Sequence, residues 1–323
     1  VKAQHGTDVK CFYSLPQYEQ FKQTPSSHKY TIKYYKGLGT STAQEAKDYF
    51  RHLDDNTIVY TSTNDYTAIT NTFKKEYADY RKKWILNSIA SNTHMVYPTT
   101  GRKHVTYEDF INKELVLFSI ADVQRSIPSA IDGLKVSQRK VLYASRKRKN
   151  TEIKVSQLSG YASTESAYHH GEQSMMSTTI GLAQSFIGSN TWPLLEGIGQ
   201  FGTRLMGGKD AASPRYIFIK LSHYGSTVYP KVDDSLLEYM DDDGFMIEPK
   251  YYVPTLPIVL INGADGIGTG YSSHVPCFNP ADIRENIKLA LKNETLKELI
   301  PWYNGFTGQI KPIEGSPGQY ITI

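Results

Sequence analysis

Hydrophobic and polar positions alternate through residues 30–35, which predicts a strand. The glycine- and threonine-rich stretch Lys36-Gly37-Leu38-Gly39-Thr40-Ser41-Thr42 then feeds a helix over 43–50. Residues 12–16 read as a strand running into a turn at Pro16. Phe73, Tyr77, Tyr80 and Trp84 recur at helical spacing, so the pattern predicts one charged amphipathic helix over 73–90. Thr106 is placed to cap the next helix, with Asp109 three residues on, and that helix runs to about Arg125. Asp132 can cap a helix opening with Gly133-Leu134-Lys135, and 175–186 is an apolar-periodic helix with its methionines in the core. Pro214 cannot sit inside a helix, and the aromatic and β-branched run 216–219 after it reads as a strand. A helix over 281–300 and strands ending at 320–323 close the pattern. The prediction is a mixed α/β (α+β), multidomain chain.

With 323 residues there is enough chain for two or more domains. The net charge of +4 is a mild excess that does not by itself indicate nucleic acid, so local clustering matters more than the total. Cys11 and Cys277 provide no disulfide framework and no metal spacing, which suits a reducing compartment. No apolar run reaches membrane-spanning length, so no membrane partner is expected. Val1 opens in mid-pattern without a Met or a secretory signal, and an internal fragment is expected.

Basic residues collect in two places. Lys135 and Arg139 lie four apart on one helix face, with Lys140 beside them and the run Arg146-Lys147-Arg148-Lys149 following. Such a face can neutralise DNA phosphates, or it can be a solvated face or a localisation patch. The second collection is Arg204, Lys209 and Arg215, in and after a glycine-rich loop that becomes a strand at Tyr216. Loop-to-strand junctions offer side chains to ligands. A phenol ordinarily loses its proton near pH ~10 and is a weak nucleophile at neutral pH. A guanidinium beside it favours the phenolate and stabilises charge building on a phosphate. His169 and His170, with Glu172 nearby, lack a second ligand pair at zinc spacing, and Asp233-Asp234 and Asp241-Asp242-Asp243 match no calcium loop, so no metal site is expected in this chain. Asn262–Gly270 is glycine-rich, but no acidic residue and βαβ frame follow where a dinucleotide site needs them.

Gly199-Gln200-Phe201-Gly202-Thr203-Arg204 and Gly207-Gly208-Lys209-Asp210-Ala211-Ala212-Ser213-Pro214-Arg215-Tyr216 resemble the active-site segment of type IIA DNA topoisomerases in their eukaryotic and large-DNA-virus form. Further segments are similar to the same family in the same order and cover nearly the whole chain. They are the glycine stretch at 33–42, the helix start at 107–115, Asp132-Gly133-Leu134-Lys135 with Gln138-Arg139-Lys140, Ala167-Tyr168-His169-His170-Gly171-Glu172, the acidic-to-tyrosine run at 242–254, and Asn262–Gly270. Val136-Ser137 stand where cellular members usually show Pro and Gly, and the segment before Glu152 is slightly shorter, which hints at a divergent or viral source.

The resemblance implies the tail of a TOPRIM domain over 1–60, connecting helices over 61–115, a winged-helix domain with the catalytic tyrosine over 116–220, and the first part of a tower domain over 221–323. It implies Tyr216 as the nucleophile that becomes linked to a DNA 5′ phosphate, Arg215 as its electrostatic partner, and His170 beside the scissile phosphate. Tyr35, Lys36, Gly37, Lys135, Tyr168, His169 and Ser174 are expected against DNA, with Arg139, Lys140, Arg204 and Lys209 added by charge. Ile267 is expected to wedge between base pairs and bend the duplex. The family's EGDS-type and DxDxDG-type acidic motifs are not in this sequence, so Mg²⁺ and ATP are expected on other parts of the parent protein. The implied partners are double-stranded DNA and a second copy of the chain, the implied place is the nucleus or, for a virus, the infected host cell, and the implied reaction is ATP-dependent double-strand passage. A non-catalytic DNA-bending module built on Lys135, the basic run and Ile267 stays open, with Tyr216 then a packing residue. A tyrosine recombinase would need several more arginines around its tyrosine.

Overall fold

The computed structural model describes residues 1–35, 39–62, 66–91, 94–98, 101–242 and 244–323, with helices and sheets mixed along the chain. It divides into two compact units, one of residues 1–122 with 269–271 and one of 123–268 with 272–323.

In the first unit, β1 (Lys2–His5), β2 (Asp8–Cys11) and β3 (Thr31–Lys33) form an antiparallel sheet in the order β2-β1-β3. Ala3 under the sheet meets Tyr18 and Phe21 from α1 (Leu15–Lys22), making a small aromatic core. The stretch expected as strand and turn at 12–16 therefore enters a helix, with Pro16 in the first turn where its absent N–H costs no bond. α2 (Ala43–Arg51) starts on a capping box: Glu45 N–H donates to Thr42 Oγ1 at 3.2 Å, and Thr42 N–H donates to Glu45 Oε2 at 2.8 Å. β4 (Ile58–Thr61) pairs in parallel with β5 (Lys103–Thr106), and the crossover a parallel pair requires includes α3 (Thr67–Phe73) and α4 (Ala78–Ser91).

That crossover corrects the single helix expected over 73–90. Lys74 is extended, and Arg81 reaches back to donate to the carbonyls of Thr72 at 3.3 Å and Lys74 at 2.7 Å, satisfying the end of α3. Phe73, Tyr77 and Tyr80 are consequently exposed, and of the stripe Trp84 alone is buried, its Nε1 donating to Asn112 Oδ1 at 3.0 Å. Thr106 caps as expected, accepting from Asp109 N–H at 3.0 Å. α5 (Tyr107–Phe110) then runs through a π turn, Ile111–Leu115, into α6 (Val116–Ser126).

The second unit is built on α7 (Val136–Lys147), α8 (Val155–Glu165) and α9 (Glu172–Gly181), packed with the antiparallel sheet of β6 (Ile153–Lys154), β7 (Leu195–Ile198) and β8 (Phe218–Leu221) in the order β6-β8-β7. Val141, Leu142, Leu158, Met175, Leu195 and Ile219 lie in its shared core. α9 is shorter than the apolar pattern suggested, ending at Gly181. α10 (His223–Thr227) is capped by Ser222, whose Oγ accepts from Gly225 N–H at 2.9 Å. β9 (Tyr239–Asp242) and β10 (Phe245–Pro249) form a bulged antiparallel hairpin. α11 (Ile258–Ile261) leads into the hairpin of β11 (Ala264–Gly268) and β12 (Tyr271–Val275). α12 (Pro280–Leu291) stops nine residues before the expected end at 300, because Asn293 takes φ 57° and lets Glu294 N–H return to the Leu289 carbonyl at 2.9 Å. β13 (Ile310–Pro312) and β14 (Tyr320–Thr322) pair antiparallel.

Candidate active site

The central pair sits in a turn over 214–216 that leads into β8; the strand expected over 216–219 begins two residues later, at Phe218, because Tyr216 N–H is taken by the turn bond to Ser213 O. Ile217 and Ile219 are buried in the core, whereas Tyr216 and Phe218 are exposed. The backbone is fixed on both sides of Tyr216. Ser156 N–H donates to Pro214 O at 3.1 Å, Val155 N–H donates to Ile217 O at 3.1 Å, and Tyr216 N–H donates to Ser213 O at 2.9 Å. Tyr216 is 69% exposed, so its phenol is open to a ligand rather than packed in the core. Arg215 is also exposed, and its Cζ lies 5.2 Å from the Tyr216 ring centroid. The junction therefore offers a phenol and a guanidinium together on a rigid edge.

The glycine loop before it is internally braced. Gly202 has φ 96°, and a Cβ there would fall 2.6 Å from the Gly208 backbone, so the two strands of the loop meet where no side chain fits. Gln184 holds this crossing, its Nε2 donating to Phe201 O at 2.9 Å and to Gly208 O at 3.1 Å. Asp210 closes the loop by accepting from Thr203 N–H and Thr203 Oγ1, both at 2.8 Å, and these bonds hold its carboxyl below the usual range. Arg204 and Lys209 project from the loop and are exposed. Gln184 carries little sequence signal: it is one of two polar residues, with Ser185, inside the apolar run 180–187.

His169 and His170 are exposed in the turn between α8 and α9. The rings of His170 and Tyr168 stand 5.2 Å apart at 65°, Tyr168 Oη donates to Ser174 Oγ at 3.1 Å, and His169 Nε2 is 3.1 Å from Asp242 Oδ2. Lys135 is the N-cap residue of α7 and half-buried. It lines a cleft of about 780 Å³ together with Gln138, Gln184, Asp265 and His274. Ile267 is 83% exposed on β11. A Cβ on its neighbour Gly266 would meet Ser126 O at 2.5 Å, so the hairpin backbone presses onto the end of α6 while Ile267 points away.

Two of the expected DNA contacts are corrected. Arg139 and Lys140 are buried, and their charges are spent on acids inside the fold. Arg139 Nε donates to Asp132 Oδ2 at 2.6 Å, and Lys140 Nζ lies 2.9 Å from Glu248 Oε2. Asp132 also accepts from Leu134 N–H at 3.0 Å and Tyr252 N–H at 3.1 Å, so it is a buried hub rather than a simple cap. The basic run is largely engaged as well: Arg146 pairs with Asp234 at 2.6 Å and Lys147 with Glu165 at 2.6 Å. Tyr35 Oη donates to Glu45 Oε1 at 2.6 Å, a carboxylate that Lys33 and Lys2 also share, and Lys33 Nζ lies 5.0 Å from the Tyr35 ring centroid, so this half-buried side chain is engaged inside the first unit. Lys36 and Gly37 lie outside the described residues. Among the described residues no cluster of three or more His, Cys, Asp or Glu is arranged to hold a metal ion, and no helix is long and apolar enough to cross a membrane.

Residues 125–323 match the family of the DNA gyrase/topoisomerase IV A-subunit, and residues 1–123 match the C-terminal associated domain of TOPRIM. DNA topoisomerase 2 of Arabidopsis thaliana is 49% identical over 315 residues, covering 96% of this chain and 21% of that protein. DNA topoisomerase 2-beta of Gallus gallus is 46% identical over 334 residues, covering 99% of this chain and 20% of that protein. Among solved structures, the Plasmodium falciparum topoisomerase II DNA-binding, cleavage and re-ligation domain superposes with a TM-score of 0.79 at 43% identity, covering all of this chain and 44% of that one. The chain thus spans about a fifth of the length of these curated relatives.

Proposed function

The chain belongs to the DNA gyrase/topoisomerase IV A-subunit family, and from that premise we propose that it is the DNA-gate part of an ATP-dependent type II DNA topoisomerase. The observation that carries the reading is the exposed Tyr216 phenol, held in the turn just before β8 under the Arg215 guanidinium.

Tyr216 Oη attacks a backbone phosphorus of double-stranded DNA. The new bond is Tyr216 Oη–P, the broken bond is P–O3′, the phenol proton leaves to solvent, and the departing 3′ oxygen gains one. The product is a 5′-phosphotyrosyl link whose ester retains the bond energy, so the free 3′ hydroxyl can reverse the step. Arg215 stabilises the extra negative charge as it forms on the phosphate, and His170 donates a hydrogen bond to the same group in either charge state. Lys135, Arg204 and Lys209 serve the flanking phosphates, with Tyr168, His169, Ser174 and Tyr35 as further contacts. Ile267 wedges into a base step and bends the duplex. The 69% exposure of Tyr216 favours this reading over a bending module in which that residue packs.

Mg²⁺ and ATP are assigned to other parts of the parent protein, since no cluster of three or more His, Cys, Asp or Glu among the described residues is arranged to hold a metal ion. The domain assignment proposed is TOPRIM tail over 1–60, connecting helices over 61–115, winged helix over 116–220 and tower over 221–323, supported by the three helices and small antiparallel sheet around β8. A homodimer is proposed, since two strands must be cut. A cellular source would place it in the nucleus, a viral one in the infected host cell. The test uses the full-length parent protein with supercoiled plasmid, Mg²⁺ and a detergent quench. Cut DNA carrying protein at its 5′ ends with the natural chain, and none with Tyr216→Phe, is the expected result; cutting that survives Tyr216→Phe would exclude it.

A further inference from the structure

The turn that carries His170 is tied to one hairpin at two points, at Ser166 through Lys140 of α7 and at His169 directly. Ser166 ends α8 fully buried, and its carbonyl accepts from Lys140 Nζ at 2.5 Å. The same ammonium lies 2.8 Å from Glu248 Oε1 and 2.9 Å from Oε2, and Glu248 is wholly buried on β10. Three residues past Ser166, His169 Nε2 meets Asp242 Oδ2 at 3.1 Å, and Asp242 ends β9, paired across the hairpin with Phe245. Between the two ties, Ala167 is held at φ 45°, a left-handed conformation that costs an L-residue roughly 1–2 kcal/mol. Such strain persists only where the surroundings over-determine the backbone.

Stability alone is a poor account of the buried tie. Desolvating an ammonium and a carboxylate is expensive, and apolar residues of similar volume usually do as well or better. Burial pushes the Glu248 carboxyl up, and Lys140 works against that. What an apolar pair could not do is bond the Ser166 carbonyl at the open end of α8.

We propose that Lys140, Glu248 and Asp242 are positioning residues: the β9–β10 hairpin, acting through the Ser166 carbonyl and through His169, sets the place of the His170 imidazole. The inference rests on the reading of His170 as a phosphate contact.

The experiment uses the full-length parent protein. Single-turnover rates of covalent adduct formation are measured at saturating plasmid DNA, and DNA affinity is measured separately at one salt concentration. The variants are Glu248→Gln, Asp242→Ala and Asp242→Asn, each with and without His170→Ala. With His170 present, Glu248→Gln and Asp242→Ala lower the rate by on the order of 10- to 100-fold, as a small displacement of a reacting group does. DNA affinity falls far less than the rate, since His169 is one contact among many, and Asp242→Asn, which can still accept from His169, recovers most of the loss. With His170→Ala already in place, none of the three lowers the rate further. Equal losses in both backgrounds, or no loss in either, would overturn the proposal while leaving His170 in the site. A rate untouched by His170→Ala would overturn the phosphate-contact reading and the proposal together. Asp242 is partly exposed at the surface, so its variants report even if Glu248→Gln weakens the fold.

Discussion

The Arg215 guanidinium stacks on the ring of the residue that follows it, 5.2 Å from the Tyr216 centroid. At an exposed site this contact contributes only about 0.5–1 kcal/mol, so the cation is poised beside the phenol yet free to turn onto a phosphate. Arg215→Lys keeps the charge and loses the planar fork. It should lower adduct formation by on the order of 10²-fold with DNA affinity nearly unchanged, read from single-turnover cleavage.

Asp132 neutralises Arg139 and accepts two further backbone bonds inside the second unit. Asp132→Ala leaves a buried guanidinium unpaired and should destabilise this unit by about 3–5 kcal/mol. Urea unfolding measures it, with exposed Lys149→Ala as the control that changes little.

Gln184 bridges Phe201 and Gly208 across the glycine loop. Gln184→Leu removes both bonds and should cost about 1–3 kcal/mol. Hydrogen exchange should show the loss concentrated between residues 199 and 212, with trypsin cutting faster at Arg204 and Lys209.

Asp210 carries a pH dependence. Its folded carboxyl is held below the unfolded value by Thr203, so its contribution is complete above the ordinary carboxylate range and is lost as pH falls through the lowered value. Proteolytic protection of the loop should be flat from about pH 8 to about pH 5 and should fall on further acidification. Thr203→Val, which deletes one donor, should move that fall to higher pH.

The cap at Thr106 could be read because it depends on a few neighbouring residues, and a strand after Pro214 could be read for the same reason, though it starts at Phe218 rather than Tyr216. The Arg215–Tyr216 pair stands out only through the family resemblance, since an arginine followed by a tyrosine is by itself an ordinary surface-and-core dipeptide. Arg139 and Lys140 were misread because a basic helix face looks alike whether its partner is phosphate or a distant acid, and Glu248 lies 108 residues from Lys140. The break at Lys74 was hidden because Arg81 caps α3 from the next helix, which spacing alone does not reveal. Gln184 was hidden because its role exists only once Phe201 and Gly208 are brought together.

The most direct test of the central claim is the identity of the DNA-linked residue. Adducts formed by the full-length parent protein would be digested with trypsin and nuclease and analysed by mass spectrometry. The account predicts a nucleotide joined through its 5′ phosphate to Tyr216, on the peptide between Lys209 and Lys220 or its shorter form after Arg215. A link through a 3′ phosphate, or on any other residue, would contradict it.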